Sequence, residues 1–131
     1  MKAVARRVEG LAHHVEVDGH ELTVDEPADE GGTDRGPSPT RLLTASLASC
    51  TAITIVMYAD RKDWDVGELE VSAEFAGAAK RGETARFDVT INLPRALSDE
   101  QAERIQVVAG KCPVHRTLIG EVEVNDRVER V

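Results

Sequence analysis

Two cysteines, Cys50 and Cys112, are the residues of this sequence best suited to covalent chemistry. A thiolate is a nucleophile and a metal ligand, and its reactivity depends on how far the surroundings lower the thiol pKa. Cys112 directly precedes Pro113, a residue suited to the first position of a helix. Its sulfur is therefore predicted near a helix N-terminus, where free amides and the backbone dipole favour the thiolate. His115 and Arg116 follow three and four residues on and are candidate thiolate stabilisers. Cys50 lies among apolar residues one turn after Ser46. Burial alone would raise its pKa, so reactivity there requires a cation or hydrogen-bond donor from elsewhere in the chain. The plainer alternatives are a small core hydrophobe at Cys50 and an ordinary capping thiol at Cys112. A zinc site would need Cys112, His115, Cys50 and one of His13, His14 or His20. No paired Cys-x-x-Cys supports it. Neither a Gly-x-Ser-x-Gly elbow nor a phosphate-cradling Gly-rich loop before a helix is present.

The elements that must position these thiols can be read from pattern. A strand is predicted around Ala3–Glu9, followed by a hairpin in which Val15 and Val17 alternate, Asp18-Gly19 turns, and Leu22 and Val24 alternate again. Residues 25–37 are acidic and Gly-rich and read as a solvated connector. Ser38 and Pro39 form a helix start, and the apolar segment 39–59 reads as a buried helix carrying Cys50. Its small residues, Ala45, Ser46, Ala48, Ser49 and Ala52, suit close approach of another backbone. Segments 66–76 and 84–93 alternate and form a second hairpin, with Lys80-Arg81-Gly82 in its turn. Ser98-Asp99-Glu100-Gln101 is a capping box opening a second helix that ends at Gly110. Cys112-Pro113 opens a short helical piece ending at Gly120, and Val122 and Val124 make a last strand. The order gives an α+β domain.

With 131 residues, positions 1–131 are expected to form a single domain. The net charge is −8 and the 16 Lys and Arg residues are scattered, which disfavours nucleic-acid binding. The N-terminus runs straight into charge, and the apolar segment is interrupted by Thr and Ser and closes on Asp60-Arg61-Lys62-Asp63. No signal region and no membrane span are therefore expected. The expected location is the cytoplasm, where thiols stay reduced. Aromatic residues are only 3%, so the core rests on Val, Leu, Ile and Ala and gains from burial against a second subunit.

The segment Gly36-Pro37-Ser38-Pro39-Thr40-Arg41-Leu42-Leu43, continued by Ala45-Ser46-Leu47-Ala48-Ser49-Cys50-Thr51-Ala52 and Met57-Tyr58-Ala59-Asp60-Arg61-Lys62, resembles the central-helix signature of the OsmC and organic hydroperoxide resistance (Ohr) family. Cys112-Pro113-Val114-His115-Arg116-Thr117-Leu118 resembles its second cysteine motif. The resemblance implies an intertwined homodimer whose two sheets wrap the long cysteine-bearing helices, with active sites at the subunit interface. It implies reduction of organic hydroperoxides, and more slowly hydrogen peroxide, in oxidative stress defence. Cys50 would attack and become a sulfenic acid, Cys112 would resolve it as a disulfide, and a small dithiol of lipoyl type would reduce that disulfide. The resemblance implies neither a metal nor a bound cofactor. Peroxidase members carry a carboxylate where this chain has Thr40, orienting an arginine over the thiolate. The cations available to take that place are Arg35, Arg41 and Arg116, with His115. The altered position leaves an alternative: a binding protein for a hydrophobic small molecule with weak or no peroxidase activity. A purely sensing thiol is a third.

Overall fold

The alternating N-terminal segment folds as three antiparallel strands, β1 (Ala3–Glu9), β2 (Ala12–Val17) and β3 (His20–Val24), in the order β1-β2-β3. The turn between β2 and β3 needs two residues of positive φ, which Asp18 (44°) and Gly19 (88°) supply. It sets the register Val17↔His20 and Val15↔Leu22. These coordinates are a computed structural model in which residues 1–77 and 80–131 are described. The described chain packs as two compact units, Met1–Ala45 and Ser46–Val131.

In the first unit, 25–37 is largely exposed, as its composition predicts, with Asp25 the exception. Asp25 is only 2% exposed. Its carboxylate accepts hydrogen bonds from the amides of Glu26 (2.8 Å), Thr33 (3.2 Å) and Arg35 (3.2 Å) and from the Thr33 hydroxyl (2.8 Å). Burial by itself raises the Asp25 pKa, but these donors outweigh it and hold the carboxyl below its ordinary range. A buried carboxylate so paired closes the loop upon itself. Gly36 is needed beside it, because a Cβ there would overlap the Thr23 carbonyl.

The long helix α1 (Pro39–Arg61) starts where the sequence predicts, with the Ser38 hydroxyl accepting the Arg41 amide at 3.4 Å. It is not buried all round, as its composition suggests. Leu47, Thr51, Ile55 and Ala59, one row at four-residue spacing, are its buried residues. Leu43, Ile53, Val56 and Met57 are exposed, Ile53 at 59% and Met57 at 61%. A helix turns a given stripe toward one neighbour, so a single chain covers only that stripe.

In the second unit, β4 (Glu70–Phe75) and β5 (Phe87–Asn92) pair antiparallel from Glu70↔Asn92 to Phe75↔Phe87, a shorter hairpin than the alternation predicts. The Phe75 and Phe87 rings stack tilted at 4.7 Å. Helix α2 (Asp99–Ala109) carries the full capping box: Ser98 Oγ accepts the Gln101 amide, and Gln101 Oε1 accepts the Ser98 amide. Ile55, Ala59, Val66, Ile105 and Ala109 form the core, flanked by Trp64, Leu69, Val71, Ile91, Leu93 and Leu97. Helix α3 (Pro113–Ile119) closes the described order. The strand expected at Val122 and Val124 is absent. Residues 121–131 have no regular structure and both valines are exposed, pairing with none of the described strands.

Candidate thiol site

Cys50 comes from α1 and Cys112 from the N-cap of α3, and the second unit brings them into hydrogen-bonding contact with each other. Helix periodicity explains the placement of Cys50. It sits one residue before Thr51 of the buried row, at the margin between the core and the open face, and is half-buried. Cys112 is fully buried. Pro113 at the first helical position frees no amide to compete, and the His115 amide donates to Cys112 Sγ at 3.4 Å.

The surroundings divide the two thiols electrostatically. Burial is the largest influence on each and pushes both up. At Cys112 it is outweighed by hydrogen bonds from Cys50, the His115 and Val114 amides and the Thr51 hydroxyl, so that thiol is lowered. At Cys50 the hydrogen bond with Cys112 adds to burial, while the Val114 amide and the Thr54 hydroxyl only partly offset them, so that thiol is raised. In the reduced protein Cys112 is therefore the more acidic thiol of the pair and Cys50 the less acidic.

The other sequence candidates are placed as follows. His115 contributes its amide to the sulfur, and the residue lines two cavities of about 600 and 380 Å³. The larger also takes Thr51, Phe87, Ile91, Leu93 and Ile105. The Arg116 amide bonds the Cys112 carbonyl at 3.0 Å and its side chain is exposed. Arg35 and Arg41 belong to the first unit. There Arg35 pairs with Glu9 at 2.8 Å, and Arg41 folds back on the Ser38 hydroxyl at 3.1 Å. Thr40 Oγ1 lies 3.4 Å from Ser38 Oγ. Thr51 and Thr54 were not among the sequence candidates. The signal was present, since Thr54 stands four residues after Cys50 and so shares its helix face.

A mixed α+β chain with a long cysteine-bearing helix and a second cysteine capping a short one defines a two-thiol protein class. The model of the family described as OsmC-like protein matches residues 31–125, and the chain belongs to that family. No curated protein matches the sequence. Among solved structures, an OsmC-like protein from Mycoplasma pneumoniae superposes with a TM-score of 0.77 at 22% identity, covering 91% of this chain and 86% of its own. An organic hydroperoxide resistance protein from Elizabethkingia anophelis gives 0.72 at 24%, covering 92% and 89%. An organic hydroperoxide resistance protein OsmC from Legionella pneumophila gives 0.68 at 22%, covering 92% and 90%.

Proposed function

We propose that the chain is a thiol-dependent peroxidase that reduces organic hydroperoxides in the cytoplasm, acting as a homodimer. The observation that carries this reading is the paired thiol site: Cys50 half-buried, Cys112 buried, and each the other's hydrogen-bond partner. Cys50 is the more accessible sulfur, so it attacks, and Cys112 is its base. The Cys50 proton passes to the Cys112 thiolate as the Cys50 sulfur bonds the terminal peroxide oxygen. The O–O bond breaks, leaving a Cys50 sulfenic acid and an alkoxide. The alkoxide takes the proton back from Cys112 and departs as the alcohol. The Cys112 thiolate then attacks the sulfenic sulfur, closing the disulfide, and hydroxide leaves as water after protonation by solvent. A small dithiol of lipoyl type restores both thiols by exchange and is itself oxidised to its disulfide. The larger cavity beside Thr51 and His115, with Phe87, Ile91 and Leu93 on its wall, suits an organic substituent better than hydrogen peroxide. A base within the thiol pair would also stand in for the carboxylate and arginine that Thr40 and the engaged Arg35 leave unsupplied.

A thiol count tests the proposal. Reduced protein given one equivalent of cumene hydroperoxide is expected to lose both thiols quickly, to lose them more slowly with hydrogen peroxide, and to recover them with a lipoyl dithiol. Cys50→Ser is expected to consume no peroxide, and Cys112→Ser to turn over once and retain a sulfenic acid. Thiols that persist against stoichiometric organic peroxide would sink the peroxidase. The same cavity, with Thr40 in place of a carboxylate, then favours a binding protein for a hydrophobic small molecule, recognised by a co-purifying lipophile that survives loss of both cysteines.

A further inference from the structure

The segment Met57-Tyr58-Ala59-Asp60-Arg61-Lys62 plays no part in the thiol chemistry, yet its side chains build a second constellation. Tyr58 is the only tyrosine and Trp64 the only tryptophan. Their rings meet edge-on at 5.6 Å. Arg104, from α2, donates through Nε to the Tyr58 hydroxyl at 3.1 Å and places its guanidinium carbon 5.6 Å from the ring centroid. Lys62, one turn after Tyr58, holds its Nζ 5.8 Å from the same centroid. Lys111, just past the end of α2, is near enough for its charge to act on the phenol. Arg104 and Lys62 thus converge on one phenol, with the charge of Lys111 also felt there, in a chain of net charge −8 with 24 Asp and Glu residues. Among the described residues, none of the three makes an ion pair with a carboxylate. Among the described residues most Lys and Arg side chains lack an ion pair, so it is the convergence of these cations on one phenol, not their missing partners, that favours an external anion.

We propose that Tyr58, Lys62, Arg104 and Lys111 form a binding site for a small phosphomonoester, separate from the thiol pair. With Nε engaged by Tyr58, the terminal nitrogens of Arg104 remain to grip two phosphate oxygens as a fork, and the two lysines act as point charges. The Tyr58 hydroxyl, accepting from Arg104, still has its own proton to donate. Three positive charges and that donor match a dianion with three terminal oxygens better than a carboxylate, which has one charge and two. The competing role for Lys62 and Lys111 is to offset the negative ends of α1 and α2. Arg104 lies within α2, remote from its end, and has no such function.

Trp64, in contact with Tyr58, supplies the readout. Reduced protein titrated with phenyl phosphate, and separately with inorganic phosphate, is expected to show a saturable change in tryptophan fluorescence, against sodium chloride and acetate at matched ionic strength. Tighter binding of phenyl phosphate than of inorganic phosphate supports the monoester, and equal or weaker binding overturns it in favour of the free anion. Arg104→Gln is expected to weaken binding at least about tenfold, the scale of one lost hydrogen bond to a charged group. Lys62→Gln weakens it too, while Lys80→Gln, the same charge change in the β4–β5 turn, leaves it unaltered. Native circular dichroism in Arg104→Gln separates lost binding from lost fold. A response no different from chloride, or an affinity unmoved by Arg104→Gln in folded protein, overturns the proposal and leaves the lysines as helix-end charges.

Discussion

Within the thiol pair, the hydrogen bond from Cys50 is the strongest influence lowering Cys112. Removing that donor has a definite sign. In Cys50→Ala, the Cys112 thiol is expected to titrate at higher pH than the first thiol of the intact protein, read from ultraviolet thiolate absorbance. Thr51→Val, which deletes a second donor at little cost in volume, should move it the same way by a smaller amount. Unchanged titration in both variants would mean that the amides of α3 alone set the charge. Tyr58 offers a second titration, clean because no other tyrosine overlaps it. The Arg104 hydrogen bond, with the charges of Arg104, Lys62 and Lys111, lowers its phenol below the ordinary range. Arg104→Gln is expected to return the phenol toward that range.

Among the elements, the helix ends and the core row carry the measurable stability. Ser98→Ala removes one half of the α2 capping box and is expected to cost about 1 kcal/mol in denaturant unfolding. Ile55→Ala, at a position with no exposed surface in the row of α1 that meets Ile105, is expected to cost roughly 2–5 kcal/mol. The 25–37 segment behaves as an element because Asp25 organises it. A carboxyl lowered in the folded state contributes stability that is complete above its unfolded pKa and is lost as pH falls through its folded pKa. Asp25→Asn should therefore lower the Tm at neutral pH and remove that part of the acid dependence. A variant as stable as the parent at neutral pH would show that the loop holds without its carboxylate.

On the scale of the whole molecule, the proposed dimer accounts for surface that one chain leaves open. Leu43, Ile53, Val56 and Met57 expose an apolar face of α1, and Val122, Val124, Val128 and Val131 are exposed beyond α3. By length and composition α1 would also pass as a membrane span. Its buried row in the second unit's core and the family's structures argue for packing against protein instead. Sedimentation equilibrium is expected to give twice the chain mass, and Ile53→Asp or Met57→Glu should shift it toward monomer. A monomeric parent would remove the dimer.

The sequence determined what is local. The Asp18-Gly19 turn, the Ser98–Gln101 capping box, the Pro39 helix start and the Cys112-Pro113 junction each depend on residues a few positions apart, so side-chain type and backbone preference suffice to read them. The two cysteine motifs likewise marked the family. Tertiary structure decided what depends on residues far apart in the chain. It chose which stripe of α1 meets a core and left Leu43, Ile53, Val56 and Met57 exposed. It paired no strand with Val124, buried Asp25 under donors from Thr33 and Arg35, and set Cys50 against Cys112 so that Cys112 is the more acidic thiol. Composition is blind to these outcomes because a charge or an apolar face is stabilised only by what the fold brings against it.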